Sequence, residues 1–181
     1  MLETENNNSN SSETTFQKQA NEKSLLRWRK RNSYYYKWLD KIYKFAVRPN
    51  SRVLHVGCDC GDLLAAVKPS YGVGVDANPN AVELAKKRFP HLNFYVSDPH
   101  ELNLSEKFDY VLICNSLGQW HDIQKVLEHI RPLTEDSTRI VITYYNYLWE
   151  AILRLGSRLR IRRPHPYQNW LPPQDIKTCS D

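Results

Sequence analysis

Between residues 52 and 144 short apolar runs alternate with helical patterns, and this alternation constrains the chain more than any other feature. Strands are predicted at 52–56, 72–75, 93–96, 108–114 and 139–144, and helices at 62–67, 79–88 and about 119–130. Strands separated by helices cannot pair as hairpins. They form a parallel sheet with right-handed crossovers and helices on both faces. The expected fold is therefore α/β, a Rossmann-like, mostly parallel sheet of about five strands. Asn78 followed by Pro79 marks a helix start, because Asn caps free N–H groups and Pro sits in the first turn without losing a hydrogen bond.

The flanks differ from this middle. Residues 1–22 are rich in Asn, Ser, Thr and Glu, bury too little to offset the entropy of ordering, and are predicted to be a disordered tail. From Glu22 to Val47 the chain becomes aromatic and basic. Tyr35, Trp38, Leu39, Ile42, Tyr43 and Ala46 recur at helical spacing, and Pro49 and Asn50 end the helix. Residues 147–163 read as an amphipathic helix with a basic face, followed by a proline-rich loop. At 181 residues the chain suits one domain, expected over 23–181.

The excess of 25 Lys and Arg over 20 Asp and Glu gives a net charge of +5, which selects no partner by itself. The basic runs Arg27–Arg31 and Arg154–Arg163 suit RNA or an anionic lipid surface, but charge runs are most often solvated faces, so nucleic acid is not the favoured partner. Cys58, Cys60, Cys114 and Cys179 show no CxxC pair, and neither a leader nor a membrane-length apolar run is visible. A cytoplasmic protein with no transmembrane segment is expected.

The first strand-to-helix turn reads VLHVGCDCGDLL. Gly57 and Gly61 allow a tight turn and a close approach by a ligand, and Asp76, at the end of the second strand, suits the two hydroxyls of a ribose. A dinucleotide fingerprint needs glycine at Asp59 and Asp62, where acids oppose a pyrophosphate. A positively charged nucleoside without phosphate fits better, and S-adenosylmethionine is such a molecule. His55, Cys58 and Cys60 lack a fourth partner at zinc spacing, so no metal is expected.

The stretches VLHVGCDCGDLLAAV, YGVGVDANPNAVELAKKRFPHLNF, FDYVLICNSLGQWHDIQKVLEHI, YYNYLWEAILRL and QNWLPPQDI resemble class I S-adenosylmethionine-dependent methyltransferases. The resemblance is to the bacterial stand-alone or glycosyltransferase-linked kind. It implies that Gly57 and Gly61, with Cys58 and Asp59 between them, line the methionine part of the cofactor. It also implies that Asp76 and Ala77 meet the ribose, while Asp98 and Pro99, with His100 beside them, meet the adenine. Asn115 and Ser116 would border the transfer cleft, and Tyr35, one of the aromatics Tyr34–Tyr36, would close over the cofactor.

Three departures matter. The family carries an acid where His55 stands and a glycine where Asp59 stands, so the Asp59 carboxylate is expected to take over the pull on the cofactor's positive end. The third is size: five strands are predicted where the family has seven, which leaves a non-catalytic cofactor-binding or interaction protein as the alternative. An exposed fifth strand would be covered by a partner or a second copy. The expected acceptor is a small molecule or a glycan-linked or lipid-linked group. If it is a hydroxyl, His121 and Tyr145 are the candidate catalytic bases, with Asn146 and Glu150 nearby.

Overall fold

A computed structural model describes residues 22–144. The predicted tail, Tyr145, Asn146, Glu150 and the predicted helix at 147–163 lie outside the described residues.

Two helices, α1 (Glu22–Arg31) and α2 (Ser33–Ala46), precede the sheet. Then follow β1 (Arg52–Val56), α3 (Asp62–Ala66), β2 (Tyr71–Asp76), α4 (Pro79–Arg88), β3 (Asn93–Val96), β4 (Tyr110–Cys114), α5 (Ile123–Ile130) and β5 (Arg139–Thr143). All pairings are parallel, in the order β3-β2-β1-β4-β5. Successive strands step outward from β1 in one direction and then in the other, so the order reverses beside β1 and leaves a crevice at its carboxyl end.

Side chains of each strand alternate between two apolar layers, as the two-residue period requires. Val53, Tyr110 and Leu112 join Leu39, Tyr43, Leu64, Val82 and Phe94 on one face. Leu54, Val56, Val73, Val75, Val111 and Ile113 join Val126, Ile130 and Leu133 on the other. The central strands are buried on both sides and read as continuous apolar runs. Tyr43 fastens α2 to the sheet: its hydroxyl donates to the Ile113 carbonyl at 3.2 Å and lies 2.9 Å from Thr143 Oγ1.

Two predicted helices are revised. The stretch from Glu22 to Val47 is two helices separated at Asn32, whose dihedrals are not helical. The helix predicted from about 119 begins at Ile123, because the Asp122 side chain accepts from the Lys125 N–H and caps it there, while residues Leu117–Gln119 form a short 3₁₀ turn. His121 therefore lies in the connection before α5. As expected, Asn78 caps α4 by accepting from the Asn80 N–H.

Candidate functional site

The turn after β1 reverses through three left-handed residues, Gly57 (φ 75°), Asp59 (φ 47°) and Gly61 (φ 79°). The N–H groups of Gly57 and Cys58 both donate to the Val75 carbonyl, which draws the turn against the end of β2. A Cβ on Gly57 would stand 2.8 Å from Ser116 Cβ, and one on Gly61 would stand 2.6 Å from the Phe94 ring. Glycine is therefore required at both by conformation and by space.

Asp76 ties this turn to the next. Its Oδ2 accepts from the Asp59 N–H at 2.7 Å and its Oδ1 from the Asn78 N–H at 2.9 Å, so the carboxylate is held in one orientation at the crevice rim. At the end of β3, Asp98 Oδ1 accepts from the His100 N–H at 2.9 Å and lies 2.7 Å from His100 Nδ1. Burial alone would raise the Asp98 pKa, but these bonds and the His100 charge outweigh it and hold the carboxyl below its usual value. His100 stacks on His121 with ring centroids 5.0 Å apart, and its Nε2 is buried without a hydrogen-bond partner.

On the far side, Asn115 follows β4 in a left-handed conformation (φ 56°) and donates from Nδ2 to the Tyr35 hydroxyl at 2.7 Å. Tyr35 packs edge-on against Tyr36, over whose ring Arg29 lies at 4.3 Å. Arg29 Nε also pairs with Asp62 at 2.9 Å, and Arg88 engages the same carboxylate through both terminal nitrogens. The crevice is thus bounded by the glycine turn, Asp76, Asp98 and the Tyr35–Asn115 bridge. At the opposite ends of the strands a separate recess of about 210 Å³ lies among Arg52, Lys107, Phe108, Asp109 and Glu135.

Residues 54–140 match the family described as a methyltransferase domain. The relatives include a Methanobrevibacter smithii protein named as a cobalt-precorrin-6B C(15)-methyltransferase, 28% identical over 56% of this chain and 58% of its own length. Another is the demethylmenaquinone methyltransferase of Thermotoga maritima, 26% identical over 59% of this chain and 49% of its own. The match thus spans about half the length of these curated relatives. Among solved structures, the YcgJ protein of Bacillus subtilis superposes with a TM-score of 0.64 at 18% identity, covering 78% of this chain and 64% of that one. The magnesium protoporphyrin IX methyltransferase of Synechocystis, crystallised with S-adenosylhomocysteine, gives 0.62 at 15% identity, covering 92% and 86%. Residues 54–140 are thus matched as a methyltransferase domain, on the fold of class I S-adenosylmethionine-dependent methyltransferases.

In this methyltransferase domain the residues predicted for the cofactor gather at the carboxyl ends of β1, β2, β3 and β4. Gly57, Cys58, Asp59 and Gly61 form the first turn, Asp76 and Ala77 follow β2, Asp98 and Pro99 follow β3, and Asn115 follows β4, where Tyr35 reaches it. Tyr34 faces solvent, so of the three neighbouring tyrosines Tyr35 and Tyr36 turn inward. His121 stands beside the Asp98 turn through its stack on His100. The Cys58 and Cys114 thiols at strand ends are pushed up in pKa by burial, which favours their protonated form.

His55 occupies the β1 position where the family has an acid. It is buried, neither ring nitrogen has a hydrogen-bond partner, and burial, reinforced by the Arg29 charge, lowers its pKa to about 3. It is neutral at physiological pH. The acidity of the turn is also smaller than its sequence suggests, since two arginines neutralise Asp62 and leave Asp59 and Asp76 to set the local charge. In the sequence Arg29 belongs to a basic run of the kind that is most often a solvated face, whereas the fold pairs it with Asp62. Its one available signal was its place on the helix just before the Tyr34–Tyr36 aromatics.

Proposed function

We propose that the chain binds S-adenosylmethionine in the crevice beside β1 and transfers its methyl group to a small-molecule, glycan-linked or lipid-linked acceptor. The observation that carries this reading is Asp76, a carboxylate held by two backbone N–H groups at the end of β2, beside a turn with three left-handed residues. The donor set suits a nucleoside without phosphate: carboxylates at Asp59, Asp76 and Asp98 repel a phosphate, and a ribose and an amine favour them. The names of relatives that act on cobalt-precorrin-6B and demethylmenaquinone support a small-molecule acceptor. Unpaired thiols at Cys58, Cys60 and Cys114 support a cytoplasmic setting.

In this reading Gly57, Cys58 and Gly61 hold the methionine part and Asp76, with Ala77, the ribose. Asp98 and Pro99 hold the adenine, and Asn115 and Tyr35 close the crevice over the cofactor. The Asp59 carboxylate attracts the positive end in place of the acid missing at His55. S-adenosylmethionine supplies an already activated methyl group when bound, so orientation and exclusion of water are most of what the protein must add. His121, held against His100, takes the proton from a hydroxyl or amine acceptor. Tyr145 is the second candidate base.

Titration calorimetry with S-adenosylhomocysteine tests the reading. Wild type is expected to bind and Asp76→Ala to lose binding while keeping its circular dichroism spectrum. No heat from wild type overturns the proposal, and labelled-methyl incorporation into cell extract fractions then identifies the acceptor.

A further inference from the structure

Three aromatic side chains of α2 face away from the protein: Tyr34 is 85% exposed, Trp38 53% and Phe45 95%. At about 100° per residue these positions fall within roughly 40° of one another, so they form one stripe about 17 Å long. Lys41 lies in the same stripe, and Lys37 and Lys44 border one side of it, all three exposed. The opposite face, with Leu39 and Tyr43, is fully used in the core. A surface helix needs one apolar face, and α2 has two. Asp40, the helix's one acid, is partly buried, so lysines set the charge of the outer face.

We infer that this outer face of α2 docks on an anionic lipid bilayer. The chemistry of the stripe selects this occupant. Tyr and Trp rings settle at the headgroup level, a fully exposed Phe gains most by entering the acyl boundary, and lysines extend their stems to meet lipid phosphates. A second copy fits poorly, because a symmetric contact through this face sets Lys37, Lys41 and Lys44 of one chain against those of the other. Single-stranded RNA is gripped in grooves lined by stacking platforms, whereas this surface is a convex helix ridge. No helix among the described residues is long and apolar enough to cross a membrane.

The helix that carries the stripe also carries Tyr35, whose hydroxyl is bonded to Asn115 at the crevice. Docking through α2 therefore brings the crevice mouth close to the bilayer, where a lipid-linked acceptor is found. That orientation rests on the methyltransferase reading, and the docking itself does not.

Flotation of the full chain with vesicles provides the test. Binding is expected to vesicles of equal parts phosphatidylcholine and phosphatidylglycerol, to weaken with salt, and to be absent on pure phosphatidylcholine. Replacing Lys37, Lys41 and Lys44 with Gln is expected to weaken binding by about fivefold per charge removed. The double variant Trp38→Ala, Phe45→Ala is expected to lose binding at physiological salt. These residues are exposed, so both variants should keep the wild-type spectrum and the same affinity for S-adenosylhomocysteine. The inference is overturned if wild type does not float, if it floats equally on neutral vesicles, or if both variants float as wild type does. A dimer or a retained RNA that disappears in the same variants overturns it as well. Vesicle binding without S-adenosylhomocysteine binding sinks the methyltransferase reading and leaves the docking intact, and the reverse result sinks the docking alone.

Discussion

Asp59 holds a left-handed conformation that costs a residue with a Cβ on the order of 1 kcal/mol, and its carboxylate stands in the turn proposed to meet the cofactor's positive end. Asp59→Gly separates the two effects. It is expected to raise stability by about 1 kcal/mol in chemical denaturation. It should also weaken S-adenosylhomocysteine binding about two- to fivefold, as for a partly exposed ion pair. Tighter binding by the variant would sink the proposed role of the carboxylate. Gly57→Ala tests the close approach to Ser116: the added methyl brings both a positive-φ penalty and a clash, expected to destabilise the fold by roughly 1–3 kcal/mol. Adding Ser116→Gly should recover the clash part only, so the two changes will not be additive. Gly57, Gly61 and Asp76 were legible in the sequence because a tight turn and a strand-end acid are local features. The pairing of Asp62 with Arg29 and Arg88, the bond between Tyr35 and Asn115, and the stack of His100 on His121 were not. Each depends on how separate elements meet, and no spacing rule encodes that.

At the scale of elements, α2 is fixed to the sheet at two heights, by Tyr43 against β4 and β5 and by Tyr35 against the residue after β4. Tyr35→Phe removes the bond to Asn115 at the crevice rim and leaves the ring in place, so global stability should fall by only about 1 kcal/mol. Faster amide exchange is expected in the first half of α2, together with weaker S-adenosylhomocysteine binding. Unchanged exchange there would show that the Tyr35 bond does not hold the helix. The alternation of strands and helices could be read from sequence because buried parallel strands appear as short apolar runs and helices show a longer period. Boundaries were harder where one pattern ran across two elements. No Gly or Pro marks the separation at Asn32, and the buried side chains of Leu117 and Trp120 extend the apolar pattern upstream of the true α5 cap at Asp122.

For the whole molecule, the buried His55 makes stability depend on pH in a calculable direction. Its pKa is about 3 in the folded protein and 6.5 as the reference, so between these values the unfolded chain binds a proton that the native state refuses. This stability is present in full above pH 6.5 and is lost as the pH falls toward 3, at a limiting slope of roughly 1.4 kcal/mol per pH unit. Asp98, whose carboxyl is depressed, adds a loss in the same direction at lower pH, and Asp40, whose carboxyl is raised by burial, opposes it. The His55→Leu variant isolates the histidine. Leucine is similar in size, and no hydrogen bond is given up, because neither ring nitrogen has a partner. Urea denaturation of both proteins across about pH 7 to 4.5 should show the variant gaining on wild type by up to roughly 1.4 kcal/mol for each unit below 6.5. A difference that stays constant with pH would mean that His55 keeps its ordinary pKa in the fold. A proton would then have to reach the heart of β1, where Gly74 and Leu112 flank it on the neighbouring strands.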